Sequence, residues 1–350
     1  MHRFDYSFLD NGLLPAEIVN LTATISAFKA ISGERRERYK TVYTDLESIA
    51  RIQSVKNSNA IEGIVTTDAR IEAIVNKESA PLNHNEIEIA GYRDALDEIH
   101  RHHDELAFSE DMIRHLHRVI QGATKDGGEY KLEDNLIMSI DANGKRSVRF
   151  TPVAAADTRD AMEQLVLAYM DARSNPNINQ LLLVPCVVLD FLCIHPFPDG
   201  NGRISRLLSL LLMYKNGFDV GKYVSFEEQI NENKEMYYDA LYESSQGWHE
   251  NTNTYTSYMK NFLFTLYRCY KELDKRFSTV NGKKIPKNKR IEQTVLNSVL
   301  PLTKSEICEL LPDISVTTVE AVLGKLVKNG DVKKLGQSRS TKYVNADYVN

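Results

Sequence analysis

The chain has 350 residues, 42% of them hydrophobic and 26% charged, with a formal net charge of −5. That length allows two or three domains with proper cores, and the acidic balance excludes a protein that coats nucleic acid with its whole surface. The charge is uneven, because residues 281–350 carry 12 Lys+Arg against 7 Asp+Glu; that +5 leaves −10 for the first 280 residues and sets the C-terminal segment apart.

Four cysteines, Cys186, Cys193, Cys269 and Cys308, form no CxxC pair. Two of them lie in an apolar run, so buried free thiols are expected rather than disulfides or a metal site. The opening MHRFDYSFLDNG has no secretory apolar core. The apolar run from Leu181 to Ile194 is interrupted by Pro185 and Asp190 and is too short to span a bilayer. No membrane partner and a cytoplasmic location are expected.

Residues 1 to about 15 read as an extended arm ending at Leu14-Pro15. From Ala16 to about Val75 the apolar spacing is helical, with Ile18, Leu21, Ile25 and Phe28, then Val42, Leu46, Ile49 and Ile52. Ser32-Gly33 is expected to separate the first helix from the second. The second should stop at Gly63, a C′ glycine, with Ser58 and Glu62 spaced i,i+4 on the polar face before the stop. Asn83 to about Leu106 reads as a helix whose end, with His100, His102 and His103, is expected to be solvated. Ser109 is placed to cap a helix running to Ile120, with Glu110 in its first turn. Leu136–Ile140 and Ser147–Phe150 are strand-like runs around Asn143-Gly144, a type I′ hairpin signal. Another helix is expected from Ala154 to Arg173.

Two apolar runs, 181–194 and 204–213, flank His195-Pro196-Phe197-Pro198-Asp199-Gly200-Asn201-Gly202-Arg203-Ile204-Ser205-Arg206. This is the pattern of two buried helices joined by a tight polar loop. The prolines stiffen it, and Gly200 and Gly202 can bring bare N–H groups close to a ligand. The following helix points its unsatisfied N–H groups back at the loop, which makes an anion nest suited to phosphate. Arg203 and Arg206 share a helical face and offer forks that match phosphate oxygens. Asp199 is a hard oxygen donor suited to Mg²⁺, and His195 can take a proton near neutral pH.

HPFPDGNGRISR resembles, position for position, the Fic motif HPFxDGNGRxxR. Fic proteins are mostly AMP transferases that use Mg-ATP to modify a Ser, Thr or Tyr hydroxyl of a target protein. The resemblance implies that His195 takes the proton from that hydroxyl and that Asp199 holds Mg²⁺. It implies that Gly200, Asn201, Gly202 and Arg203 bind the α- and β-phosphates, that Arg206 reaches the γ-phosphate, and that Phe197 anchors the loop. Relatives that phosphorylate carry Lys at the position of Asp199. Ser58-x-x-x-Glu62-Gly63 is similar to the family's inhibitory motif, (S/T)xxxE(G/N), which implies that Glu62 pairs with Arg206 and withholds it from the γ-phosphate. Such a pair would be bidentate. Leu116-His117 and Gly127-Gly128-Glu129-Tyr130-Lys131 resemble further family segments, the latter with Lys131 where Arg is usual. The hairpin around Asn143-Gly144 would be the flap that aligns an extended target segment by strand addition.

After the motif, Glu227 to Leu241 contains Tyr237 and Tyr238 in a Tyr-Tyr-x-x-Leu segment that resembles one bordering the nucleotide base. Adjacent helical residues point about 100° apart, so one Tyr should reach the ligand and the other the core. Trp248 to Tyr270 reads as a closing helix and 273–290 as a linker. Residues 303–310, 316–328, 332–335 and 341–344 read as helix, helix and hairpin. They resemble the winged helix-turn-helix that follows the catalytic domain in many Fic proteins, and both DNA and protein contact stay open for it.

The expected fold class is therefore all-α: a Fic helical core with a small hairpin flap and a C-terminal winged helix. The expected division is an N-terminal helical region (1–80), a catalytic domain (81–272), a linker (273–290) and a winged-helix unit (291–350). The expected function is auto-inhibited transfer of AMP from Mg-ATP to a target protein or to the chain itself. The alternatives are removal of AMP by Glu62, or a nucleotide-sensing DNA-binding regulator. The sequence leaves the target and a homodimer open.

Overall fold

In this computed structural model the described residues are 2–122, 127–140, 146–281, 286–298, 301–311, 314–336 and 341–346. The N-terminal arm is packed down rather than standing free. His2 stacks on Trp248 at 4.0 Å between ring centroids, its Nδ1 sits 2.7 Å from the Trp248 carbonyl, and Tyr6 and Leu9 are buried. Here the one-turn helix α1 (Phe8–Asn11) forms.

Helix α2 (Ala16–Arg38) runs straight through Ser32-Gly33 and breaks at Tyr39, before α3 (Lys40–Ile61). Mid-helix glycine costs about 1 kcal/mol relative to alanine, and tertiary contacts outweigh it here. Ser32 is buried, and its carbonyl accepts from the Tyr43 hydroxyl at 3.2 Å. α4 (Asp68–Val75) follows, then α5 (His84–His102), capped by Asn83, and α6 (Glu110–Gln121), capped by Ser109. The end of α5 is not uniformly solvated: His100 is buried, with Nε2 3.3 Å from the Tyr214 hydroxyl, and burial drives its pKa down to about 3.

β1 (Ile137–Ile140) and β2 (Arg146–Phe150) pair antiparallel, with a register shift between Ile137 and Met138. The Asn143-Gly144 turn expected between them lies outside the described residues. A 3₁₀ turn at Ala155–Asp157 leads into α7 (Thr158–Ser174).

α8 (Gln180–Ile194) and α9 (Asn201–Lys215) are the two central helices. α8 is apolar all round, and among Leu181–Ile194 only Leu192 is more than marginally exposed. Such a helix has to be buried on every side; α7, α9, α11 and α12 all pack against it. Its one carboxylate, Asp190, accepts from Tyr6 and Trp248 at 2.8 Å each and from Tyr255 at 3.1 Å. The arm is thus fixed to the core by the polar residue that interrupts the apolar run.

α10 (Phe226–Glu232) and α11 (Lys234–Ser245) break at Asn233. Trp248 lies in the turn before α12 (Thr256–Asn281), not inside the closing helix. α12 continues well past Tyr270, through residues expected to form a linker, and packs along α2. α13 (Lys287–Leu296) follows, then β3 (Leu302–Thr303), α14 (Lys304–Leu310), α15 (Val316–Asn329), β4 (Val332–Leu335) and β5 (Lys342–Asn345). The last three strands form a sheet in the order β3-β5-β4, all antiparallel. A capping box at Thr303 and Glu306 opens α14. The fold is all-α with small β elements. Cys186, Cys193 and Cys269 are buried free thiols, and Cys308 is half-buried. No helix among the described residues is long and apolar enough to cross a membrane.

Candidate active site

α8 ends on His195, whose backbone takes the left-handed conformation at φ +51° while its N–H still bonds to the Phe191 carbonyl at 2.9 Å. This turns the chain sharply into Pro196. Phe197 is fully buried and stacks on His117 with centroids 3.8 Å apart. Asn201 fixes the loop from the other side: its Oδ1 accepts the Phe197 N–H at 3.0 Å and its Nδ2 donates to the Phe197 carbonyl at 2.8 Å. Gly200, at φ +80°, starts α9. A side chain would strain that conformation.

Two further segments clamp the loop. The Gly128 N–H donates to His117 Nδ1 at 2.8 Å, which leaves His117 Nε2 to donate to the Asp199 carbonyl at 3.1 Å. The Lys131 N–H donates to the Pro196 carbonyl at 2.9 Å, and its Nζ donates to the Ile194 carbonyl at 3.1 Å and to Asn135 Oδ1 at 2.8 Å. Lys131 thus supports the end of α8. Burial lowers its pKa to about 8.

His195 Nδ1 lies 3.3 Å from the Leu192 carbonyl. A carbonyl only accepts, so Nδ1 carries the proton and the neutral ring keeps its lone pair on Nε2. Burial lowers the ring's pKa to about 4. The imidazole is therefore a neutral base near pH 7.

The loop, the start of α9 and the hairpin enclose a cavity of about 380 Å³ lined by Glu62, His195, Gly202, Arg206, Arg149 and Tyr238, among others. The first N–H groups of α9 have no partner within the helix, so this floor favours an anion. Asn201 contributes to it through backbone, since its side chain is taken up by Phe197. Arg203 is buried and paired with Glu88 of α5, and its second nitrogen is 3.5 Å from Asp199. The Asp199 side chain is 78% exposed. Its Oδ1 accepts the Gly200 N–H at 2.7 Å, which leaves oxygen lone pairs open at the rim. One exposed carboxylate beside a phosphate cradle fits Mg²⁺, an ion commonly held by one or two carboxylates, phosphate oxygens and water.

α3 ends above this floor. Glu62 is its cap, Gly63 takes φ +81°, and the Gly63 and Ile64 N–H groups bond back to the Ala60 and Asn59 carbonyls. This is the doubled pattern of a Schellman stop. Lys234 Nζ donates to the Ile61 carbonyl at 2.6 Å and fixes the helix end to α11. Glu62 Oε1 meets Arg206 at 2.8 Å. Arg206 also donates from Nε to the Ser58 hydroxyl at 2.8 Å and from NH2 to the Ser58 carbonyl at 2.9 Å. The pair is therefore not the expected two-pronged fork, because Ser58 takes the other edge of the guanidinium. Burial opposes the charge on Arg206, but the Glu62 carboxylate outweighs it and holds the group above its ordinary value. The carboxylate rests directly over Gly202, where an added Cβ would collide with it.

Tyr237 belongs to the buried core and Tyr238 turns to the ligand space, and both border the cavity. Tyr237 is buried beneath and Tyr238 is half-exposed. Tyr242 joins them one turn on, a position the i,i+4 spacing would have found. Arg149 reaches across from β2 and donates to the Tyr238 carbonyl, its guanidinium 5.3 Å from the Tyr242 ring centroid. Glu88 and Arg149 carry no local sequence signal; packing alone brings them here.

This helical core, with its loop, hairpin and overlying helix end, has the architecture of a Fic protein. Residues 107–213 match the model of the Fic/DOC family. The chain is 33% identical over 70 residues to the protein adenylyltransferase fic-1 of Caenorhabditis elegans, a stretch covering 20% of this chain and 14% of that protein. In fold it is similar to a Fic family protein from Desulfovibrio desulfuricans, with TM-score 0.61 and 18% identity over 95% of this chain and 97% of that one. It is similar also to a Fic domain containing signaling protein from Bacteroides thetaiotaomicron, with TM-score 0.59 and 19% identity over 73% of this chain and 96% of that one.

Proposed function

We propose that this protein transfers AMP from ATP to a protein hydroxyl and that its own Glu62 restrains the reaction. The observation that carries the reading is the position of Glu62, 2.8 Å from Arg206 and over the glycine floor on which His195 also opens. The carboxylate there occupies the place on Arg206 that a phosphate group would take.

In the active arrangement the triphosphate lies along the start of α9. Gly200, Asn201 and Gly202 offer backbone donors, Arg203 adds charge beside them, and Arg206 takes the terminal phosphate once Glu62 has moved away. The base lies toward Tyr238 and Tyr242. Asp199 would hold Mg²⁺, which supplies charge neutralisation on the phosphates when bound. His195 Nε2 accepts the proton of the target hydroxyl as its oxygen bonds to the α-phosphorus. The bond from that phosphorus to the bridging oxygen breaks, and pyrophosphate leaves. While Glu62 occupies Arg206, the terminal phosphate lacks that anchor and the α-phosphorus is not aligned for attack. β1 and β2 border the same cavity and would align an extended target segment.

Glu62 is 31% exposed, which favours a second reading: the carboxylate orients a water that removes AMP from a modified target. We read residues 291–350 as a winged-helix unit, on the element order and the β3-β5-β4 sheet of its described residues, with DNA or a protein as its partner.

The test is label transfer from α-³²P-ATP and γ-³²P-ATP with Mg²⁺, using wild type, Glu62→Gly and Glu62→Gly/His195→Ala, with cell lysate as the target source. Label from the α-phosphate alone, raised in Glu62→Gly and abolished without His195, is expected. Label from the γ-phosphate would overturn the reading in favour of a kinase. Loss of label from a pre-modified target, dependent on Glu62, would favour removal.

A further inference from the structure

Arg206 is buried at 2% exposure, and a buried guanidinium, which keeps its charge, needs partners that offset its lost hydration. Glu62 is one, but on the reading above it has to leave for the nucleotide to be held. A second partner lies on the opposite side. Arg206 Nε donates to the Ser58 hydroxyl at 2.8 Å. The Ser58 hydroxyl lies beside the Tyr92 phenol, and Tyr92 donates to Glu227 Oε1 at 2.9 Å. Glu227 Oε2 accepts from Ser225 at 3.3 Å, and Ser225 accepts from Ser54 at 2.9 Å.

All five of these partners, Ser54, Ser58, Tyr92, Ser225 and Glu227, are fully buried. Arg206 donates to Ser58 and Tyr92 donates to Glu227, while Ser54 donates to Ser225 and Ser225 to Glu227 from the other side. Burial pushes the Tyr92 phenol well up, the Glu227 charge adds to that, and the Arg206 charge and the Ser58 bond act against it. Glu227 makes no ion pair with a cation among the described residues, and the relay is its route to one. Ser54 and Ser58 stand one turn apart on the buried face of α3, so both ends of the relay are fixed to the helix that carries Glu62.

We propose that Glu227, acting through Tyr92 and Ser58, is the permanent counter-ion and positioning group of Arg206, so that the guanidinium stays partnered and aimed at the terminal phosphate after Glu62 withdraws. Ser58 then has a part in nucleotide binding and not only in restraint. The inference rests on the reading of Arg206 as the ligand of the terminal phosphate. It separates two carboxylates on one arginine: an exposed one that competes with nucleotide and a buried one that prepares for it.

The experiment measures equilibrium binding of ATP and of ADP in the Glu62→Gly background, alone and combined with Tyr92→Phe, Glu227→Gln or Arg206→Ala. Thermal unfolding of each variant is measured alongside. Tyr92→Phe and Glu227→Gln should each weaken ATP by about five- to tenfold, the range of one lost bond to a charged group, and leave ADP unchanged. A merely structural role would weaken both nucleotides together or lower only the unfolding temperature, and either result overturns the proposal. Should Glu227→Gln fail to fold, Tyr92→Phe decides alone, since it removes one oxygen. If Arg206→Ala lowers ATP binding but neither relay variant changes the ATP-to-ADP ratio, the relay is wrong and the reading of Arg206 stands. If Arg206→Ala leaves that ratio unchanged, the reading of Arg206 itself fails.

Discussion

Glu62 and Arg206 are 144 positions apart in the chain and meet at 2.8 Å above Gly202. The contact uses one carboxylate oxygen, and Ser58 holds the rest of the arginine. On the proposed function, restraint by charge and restraint by occupied space can therefore be told apart. Glu62→Gln keeps the shape and one acceptor but loses the charge, whereas Glu62→Gly clears the floor. Label incorporated from α-³²P-ATP should rise in the order wild type, Glu62→Gln, Glu62→Gly. A Gln variant as silent as wild type would show that space, not charge, restrains the site.

His195 is held neutral by burial, with its pKa down at about 4. A base must be unprotonated to act, and kcat/KM reports the free enzyme's ionisation. In the Glu62→Gly background kcat/KM for label transfer should stay level between pH 5.5 and 8 and fall only toward about pH 4. A fall centred near 6.5, the ordinary value for histidine, would mean that the ring is more solvated than its packing implies.

Asn201 spends its whole side-chain amide on the Phe197 backbone. Asn201→Ala leaves a buried N–H and a buried carbonyl without those partners, which costs about 1–3 kcal/mol. Urea denaturation should show that loss, and label transfer in the Glu62→Gly background should drop because the start of α9 loses its hold on the loop. Full stability in the alanine variant would contradict the clamp.

Asp190 gives a stability prediction with a definite sign. Burial raises its pKa to about 7, against the bonds from Trp248, Tyr6 and Tyr255. Between about pH 4, the unfolded value, and that raised value the folded chain keeps a proton that the unfolded chain releases. This residue's contribution therefore declines as pH rises through that window and levels off above it. Asp190→Asn lacks the slope, so its urea midpoint should improve relative to wild type on going from pH 5 to pH 8. A constant difference between the two proteins would show that Asp190 ionises normally in the folded state.

The loop from His195 to Arg206 was legible in the sequence because its chemistry is local. Glycines at set positions and a helix start form a nest wherever they occur, and the stop at Gly63 follows from the same logic. The helix cap at Ser109, and the burial of Cys186 and Cys193, also rest on near neighbours. The break expected at Ser32-Gly33 did not occur, because the local cost of one glycine is small beside the packing of α2. Trp248 was expected inside a helix; its aromatic company gave no hint that it would lie in a turn and bond Asp190. Helical phase divided Tyr237 and Tyr238 between core and ligand space, and Tyr237 is the buried one.

The sequence by itself determined the helical class, the apolar pair of central helices and the identity of the groups gathered at the loop. Tertiary structure decided what those groups hold. Arg203 pairs with Glu88 across 115 positions, Tyr6 with Asp190 across 184, and Arg206 with Ser58 across 148. Such pairs obey no spacing rule, since their partners lie on different helices. A buried charge must be matched in three dimensions, and which residue matches it depends on how the helices pack.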